Sequence, residues 1–121
     1  MFKVGKKVWI VWYKRYATIK KVLGCLFEIE EDDYFKEGKT FSLNELHQTA
    51  DDMFEALGFE KSEPLAHIIK YQHKNDGYIF NIYFNMSKQI YSFEDNNKRI
   101  MGVNGDEHLA IHQKLIELGW L

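Results

Sequence analysis

The chain has 121 residues, about one ordinary domain by size, and 45% of them are hydrophobic and 16% aromatic, which excludes a disordered chain. Its longest strongly apolar run without a charge, Val8 to Tyr13, is far short of the ~20 residues a membrane-spanning helix needs, and a single cysteine excludes an internal disulfide or a thiolate zinc site. The net charge of −2 conceals a sorting along the chain: residues 1–27 carry seven Lys or Arg and no acid, while residues 28–121 carry nine basic and all eighteen acidic side chains, or −9.

Met1 to Lys7 has no apolar signal-peptide core, so a reducing cytoplasm is the expected home. Lys7 to Trp12 is β-branched and aromatic and reads as a strand. Ala17 to Leu23 and Leu26 to Glu31 form two further runs, joined by turn chemistry at Gly24-Cys25, with Cys25 expected as a small core residue. Glu30 to Glu37 is acidic and loop-like. A short strand, Thr40 to Leu43, precedes a turn of helix at Asn44-Glu45-Leu46.

Near Gln48-Thr49 the pattern changes. Thr49 is a good N-cap, and Asp51 and Asp52 suit the positive end of a helix dipole. Met53, Phe54 and Leu57 share a face, and Gly58 is a natural stop. Strands are predicted at His67 to His73, Tyr78 to Phe84 and Gln89 to Glu94, the second with Tyr78, Phe80, Ile82 and Phe84 on one face. Asp95 to Lys98 is polar, and extended backbone is the expectation for Arg99 to Val103. Asp106 to Leu118 is the clearest helix, with Leu109, Leu115, Ile116 and Leu118 inward, Asn104 or Gly105 at its start and Gly119 at its end. Trp120-Leu121 is expected to fold back on the sheet.

Two stretches carry a resemblance. Phe2-Lys3-Val4-Gly5-Lys6-Lys7-Val8-Trp9, followed through to Phe41-Ser42-Leu43-Asn44-Glu45-Leu46, resembles the small SH3-like barrels, with Lys6 where those carry an acid. Thr49-Ala50-Asp51-Asp52-Met53-Phe54-Glu55-Ala56-Leu57-Gly58-Phe59 and Leu115-Ile116-Glu117-Leu118-Gly119-Trp120-Leu121 resemble the two ends of a family of small phage and prophage proteins of Gram-positive bacteria. That second likeness implies a helix, a β-meander and a helix, and a mobile-element accessory protein in a bacterial cytoplasm. It brings no catalytic residues to carry over. The fold expected is α+β: an SH3-like β-barrel over residues 1–48, packed on an α-β-β-β-α unit over 49–121, as one cooperative unit.

Phosphate-binding glycine loops, the GxSxG elbow and HExxH are all absent. His108 and His112, spaced i and i+4, form the one candidate metal pair; a third ligand would have to come from elsewhere, and solvated helix residues are the plainer reading. No metal, no cofactor and no catalysis are expected. Glu28, Glu30, Glu31, Asp32 and Asp33 form an acidic run, either a solvated strand end or a surface of closely spaced carboxylates resembling a nucleic-acid backbone. Lys6, Lys7, Lys14, Arg15, Lys20 and Lys21 interleave with Trp12, Tyr13 and Tyr16. Such side chains neutralise phosphates and stack bases, or dock on an acidic protein. The expected function is that of a phage-type accessory protein that binds and modulates a host protein, in the manner of anti-CRISPR inhibitors of a defence nuclease. The alternatives are a nucleic-acid-binding module using the basic aromatic segment, to DNA or RNA, and, last, a small ligand-binding protein or enzyme. No membrane partner is expected, and an open strand edge leaves room for a homodimer.

Overall fold

The computed structural model describes residues 2–97 and 102–121, and its chain falls into two units, 1–49 and 50–121. Both sheets are antiparallel, and the two helices belong to the second unit, an α+β composition. Among the described residues no helix is long and apolar enough to cross a membrane.

In the first unit β1 (Lys7–Ile10), β2 (Arg15–Leu23), β3 (Leu26–Ile29), β4 (Thr40–Ser42) and β5 (Leu46–Gln48) lie in the order β4-β3-β2-β1-β5. β2 serves both halves of this sheet. Its first residues pair with β1, Lys7 opposite Thr18 and Ile10 opposite Arg15, and from Ile19 onward it pairs with β3. Ile19 faces Ile29 and Lys21 faces Glu28, so Lys20 is one residue too many, a bulge that bends the strand. Val8, Ile10, Ala17, Ile19, Phe27, Ile29, Phe35, Phe41 and Leu46 fill the interior. No ladder joins β4 to β5 among the described residues, so hydrogen bonds do not close the expected barrel.

Three local expectations change here. The first strand ends at Ile10 rather than Trp12, because the Lys14 amide bonds back to the Ile10 carbonyl and Lys14 takes a left-handed φ of 53°, making residues 11–14 a turn. A 3-10 turn, Leu43–Glu45, leads into β5, a three-residue strand too short to leave a pattern. Cys25 is exposed: the tight β2–β3 turn that Gly24 permits at φ 62° leaves no interior for it.

The second unit runs α1 (Ala50–Ala56), β6 (Glu60–Leu65), β7 (Ile68–Asn75), β8 (Tyr78–Asn85), β9 (Ile90–Asp95) and α2 (Gly105–Glu117). The meander therefore has four strands, in chain order, not three. β6 escapes a propensity reading because Glu60-Lys61-Ser62-Glu63-Pro64-Leu65 is polar and holds the only proline. An edge strand tolerates both features, since one side of its backbone needs no partner. Phe80, Ile82 and Phe84 of β8 are buried as their alternation predicts, whereas Tyr78 is exposed. With Ala50, Phe54, Phe59, Tyr71, Ala110 and Ile111 they form the core, and Phe54 stacks on Tyr71 at 4.1 Å.

Both helices stop in the same way. At the end of α1 the Phe59 amide bonds to the Phe54 carbonyl and the Gly58 amide to Glu55; at the end of α2 Trp120 bonds to Leu115 and Gly119 to Ile116. The glycines take φ of 90° and 77°, the left-handed turn that side chains resist. Trp120 then folds back, its ring 6.4 Å from Phe84. α2 begins with a reciprocal cap, Asn104 accepting from the Glu107 amide and Glu107 accepting from the Asn104 amide. Of its expected inward stripe, Leu115 and Leu118 pack against the core, but Leu109 is 55% exposed; Ala110, Ile111, Gln113 and Lys114 are buried, Lys114 reaching Asp51 of α1. Of the stretch expected to be extended from Arg99, residues up to Met101 lie outside the described ones.

Candidate functional site

The basic aromatic segment is the start of the site. Residues 11–14 turn between β1 and β2, and at this turn Trp12 is 80% exposed, whereas Trp9, three positions earlier on β1, is 5% exposed and packs edge-on against Tyr16. Beside the turn four rings touch. Tyr13 meets Tyr34 at 6.0 Å, Phe35 at 5.4 Å and Phe41 at 5.6 Å, and Tyr34 meets Phe35 at 4.9 Å. Phe35 and Phe41 are buried and anchor the cluster; Tyr13 and Tyr34 form its exposed face. Sequence reasoning missed the contribution of residues 34 to 41 to this face, because Tyr34 and Phe35 sit inside a stretch that reads as an acidic loop.

Asp32 shapes that loop. Its carboxylate accepts the amides of Tyr34 at 2.8 Å and Phe35 at 2.6 Å, turning the chain so that one ring points in and one out. These two backbone donors, with Arg15 nearby, hold the Asp32 carboxyl below the usual value. Tyr13, Tyr34, Phe35, Lys36 and Lys39 line a cleft of about 300 Å³.

Cations lie on the ring faces. The Arg15 guanidinium is 4.0 Å from the centre of Tyr34, Lys7 is 4.1 Å from that of Tyr16, and Lys39 lies over Tyr13 and Phe41 at 5.8 and 5.4 Å. Such contacts contribute on the order of 0.5–1 kcal/mol each at exposed sites. The other basic candidates are dispersed. Lys6 lines a separate cleft with Phe2, Lys3, Leu43 and Gln48; Lys20 pairs with Glu28 at 3.6 Å; Lys21 is exposed opposite Glu28; Lys14 is in the turn.

The acidic run joins the basic residues instead of opposing them. Glu30, Glu31 and Asp32 line a cleft of about 150 Å³ with Lys7, Tyr16 and Thr18, and Asp33 is exposed in the same loop. Counted by unit, residues 1–49 hold nine basic and seven acidic side chains, +2, and residues 50–121 hold seven and eleven, −4. The steep asymmetry along the chain is thus largely cancelled within the first unit.

In the second unit Asp51, Lys61, Lys114 and Glu117 tie elements together. Asp51 holds Lys61 at 3.1 Å and Lys114 at 3.7 Å, and accepts the Tyr71 hydroxyl. Burial alone would raise the Asp51 pKa; Tyr71, Lys114 and Lys61 outweigh it and lower it. Burial pushes Lys114 down, against the pull of Asp51. Glu117 accepts the Ala50 amide at 2.7 Å, so α2 caps α1. His108 and His112 are exposed with their rings 6.4 Å apart, and among the described residues no three His, Cys, Asp or Glu are grouped to hold a metal. A cleft of about 370 Å³ is lined by Leu57, His73, Tyr78, Asn104 and Glu107 among others, but the last two are engaged in the α2 cap.

No family model, curated protein or solved structure matches this chain.

Proposed function

We propose that this chain is a non-catalytic accessory protein that works by docking on another protein, through the exposed aromatic face of its first unit. The observation that carries this reading is Trp12, 80% exposed beside the exposed rings of Tyr13 and Tyr34. An indole left in water forgoes a large burial energy, and aromatic anchors of this kind dominate protein interfaces. The likeness to phage accessory proteins makes a host protein the expected partner, a defence nuclease foremost. An SH3-like identity for this unit is supported by the strand order β4-β3-β2-β1-β5, the bulged β2 and the 3-10 turn before β5.

Direct nucleic-acid binding is the weaker reading. Arg15 and Lys7 already cover faces of Tyr34 and Tyr16 on which bases would stack, and three carboxylates share the cleft of Lys7. The test is affinity capture from nuclease-treated lysate of a Gram-positive bacterium. One host protein should be retained by the unaltered chain and lost with Trp12→Ala. Binding to DNA or RNA that weakens steeply with salt, with no such protein, would refute the docking reading.

A further inference from the structure

We propose that the cleft framed by Tyr13, Tyr34, Phe35, Lys36 and Lys39 receives a short partner segment in which carboxylates flank an aromatic side chain. The proposal rests on the docking reading above and names the chemistry of its partner. The cleft, about 300 Å³, is at the lower end of ligand-sized pockets, so it takes a few side chains of a short segment, not a folded surface. Its lining has three rings and two ammonium groups and no carboxylate. The rings offer an incoming aromatic group edge and face contacts, as they already offer each other at 4.9 to 6.0 Å. Lys39 lies over two rings, a contact that leaves N–H donors free for an anion.

The surroundings decide which anion. Residues 30–39 hold Glu30, Glu31, Asp32, Asp33 and Glu37 against Lys36 and Lys39, a net −3. The start of this segment lines the acidic cleft and its end the cationic one. A nucleic-acid strand carries its charge continuously, so one that runs on from the cationic cleft toward Asp32, whose carboxylate accepts the Tyr34 and Phe35 amides, meets like charge. A peptide carries its charge only where a side chain puts it. With Arg15 over the Tyr34 ring as a third nearby cation, the cleft can hold a local pair of carboxylates, while a polyanion running past Glu30, Glu31 and Asp32 is disfavoured.

The experiment uses the full chain and fluorescent probes: a short peptide with a Glu-Phe-Glu centre and Gly-Ser flanks, its Gln-Phe-Gln counterpart, and single-stranded oligothymidylate. The acidic peptide should bind about tenfold tighter than the neutral one. A Lys36→Gln/Lys39→Gln variant should erase that preference; both lysines are exposed, and an unchanged near-UV circular dichroism spectrum checks that the variant is folded. Equal affinity for both peptides, or no binding of either at millimolar concentration, overturns this proposal and leaves Trp12-dependent capture of a host protein untouched. Preference for the oligonucleotide overturns it in favour of nucleic acid, and loss of Trp12-dependent capture would remove the docking reading itself.

Discussion

The two units spend the same residue types in opposite directions. In the second, Phe54 and Tyr71 stack inside the core, and the Tyr71 hydroxyl reaches Asp51, which also holds Lys61 and the buried Lys114. In the first, Phe35 and Phe41 are inside, but Tyr13 and Tyr34 extend the cluster to the surface, and Arg15 and Lys39 lie over exposed rings. The aromatic–cation contact of Lys114 with Tyr71 is sealed in the second unit, whereas those of Arg15 with Tyr34 and Lys39 with Tyr13 lie open in the first. The buried Lys114, its pKa pushed down by burial, is held by Asp51 at 3.7 Å and lies 5.8 Å from the centre of the Tyr71 ring.

The largest way to break this contrast is Phe54→Ala, which should destabilise the second unit by about 3–5 kcal/mol in chemical denaturation, through lost burial and the cavity left against Tyr71. Tyr34→Ala in the first unit should cost far less, because that ring is largely in water. Next is Asp51→Ala, expected to cost about 1–3 kcal/mol, since Lys114 stays buried without its carboxylate. The same residue sets an acid limb. Its folded pKa lies below the ordinary 3.8, so its contribution is complete above that value and fades as the pH falls through the folded value. Stability should drop in that acid window, and Asp51→Asn should flatten the curve when denaturation is followed against pH. The smallest effect on stability belongs to Trp12→Ser, within about 0.5 kcal/mol, as for most surface substitutions. A larger loss would mean that this indole supports the fold and is not held for a partner.

What was legible in the sequence was what local chemistry controls. Gly58 and Gly119 close their helices because the chain must turn left-handed there, and Asn104 with Glu107 opens α2 by a reciprocal pair three residues apart. The matching stretches Ala56-Leu57-Gly58-Phe59 and Glu117-Leu118-Gly119-Trp120 are both helix stops, one capping chemistry used twice. Burial chosen by distant partners was not legible. Lys114 goes inside because Asp51 waits for it, and Leu109, on the other side of α2, goes outside. β6 hides behind its edge position, and Tyr34 and Phe35 behind the acids around them. The charge sorting was real as a count but not as a surface, since the β2–β3 hairpin sets Lys20 against Glu28 and the following loop brings Glu30 and Glu31 to Lys7.

The three tryptophans stand in three different solvents: Trp9 sealed in the first unit, Trp12 in water, Trp120 half-covered against Phe84 in the second. Each would emit at its own wavelength and quench at its own rate. Versions retaining one indole at a time would thus report separately on the opening of either unit and on the arrival of a guest at the turn, with no dye attached.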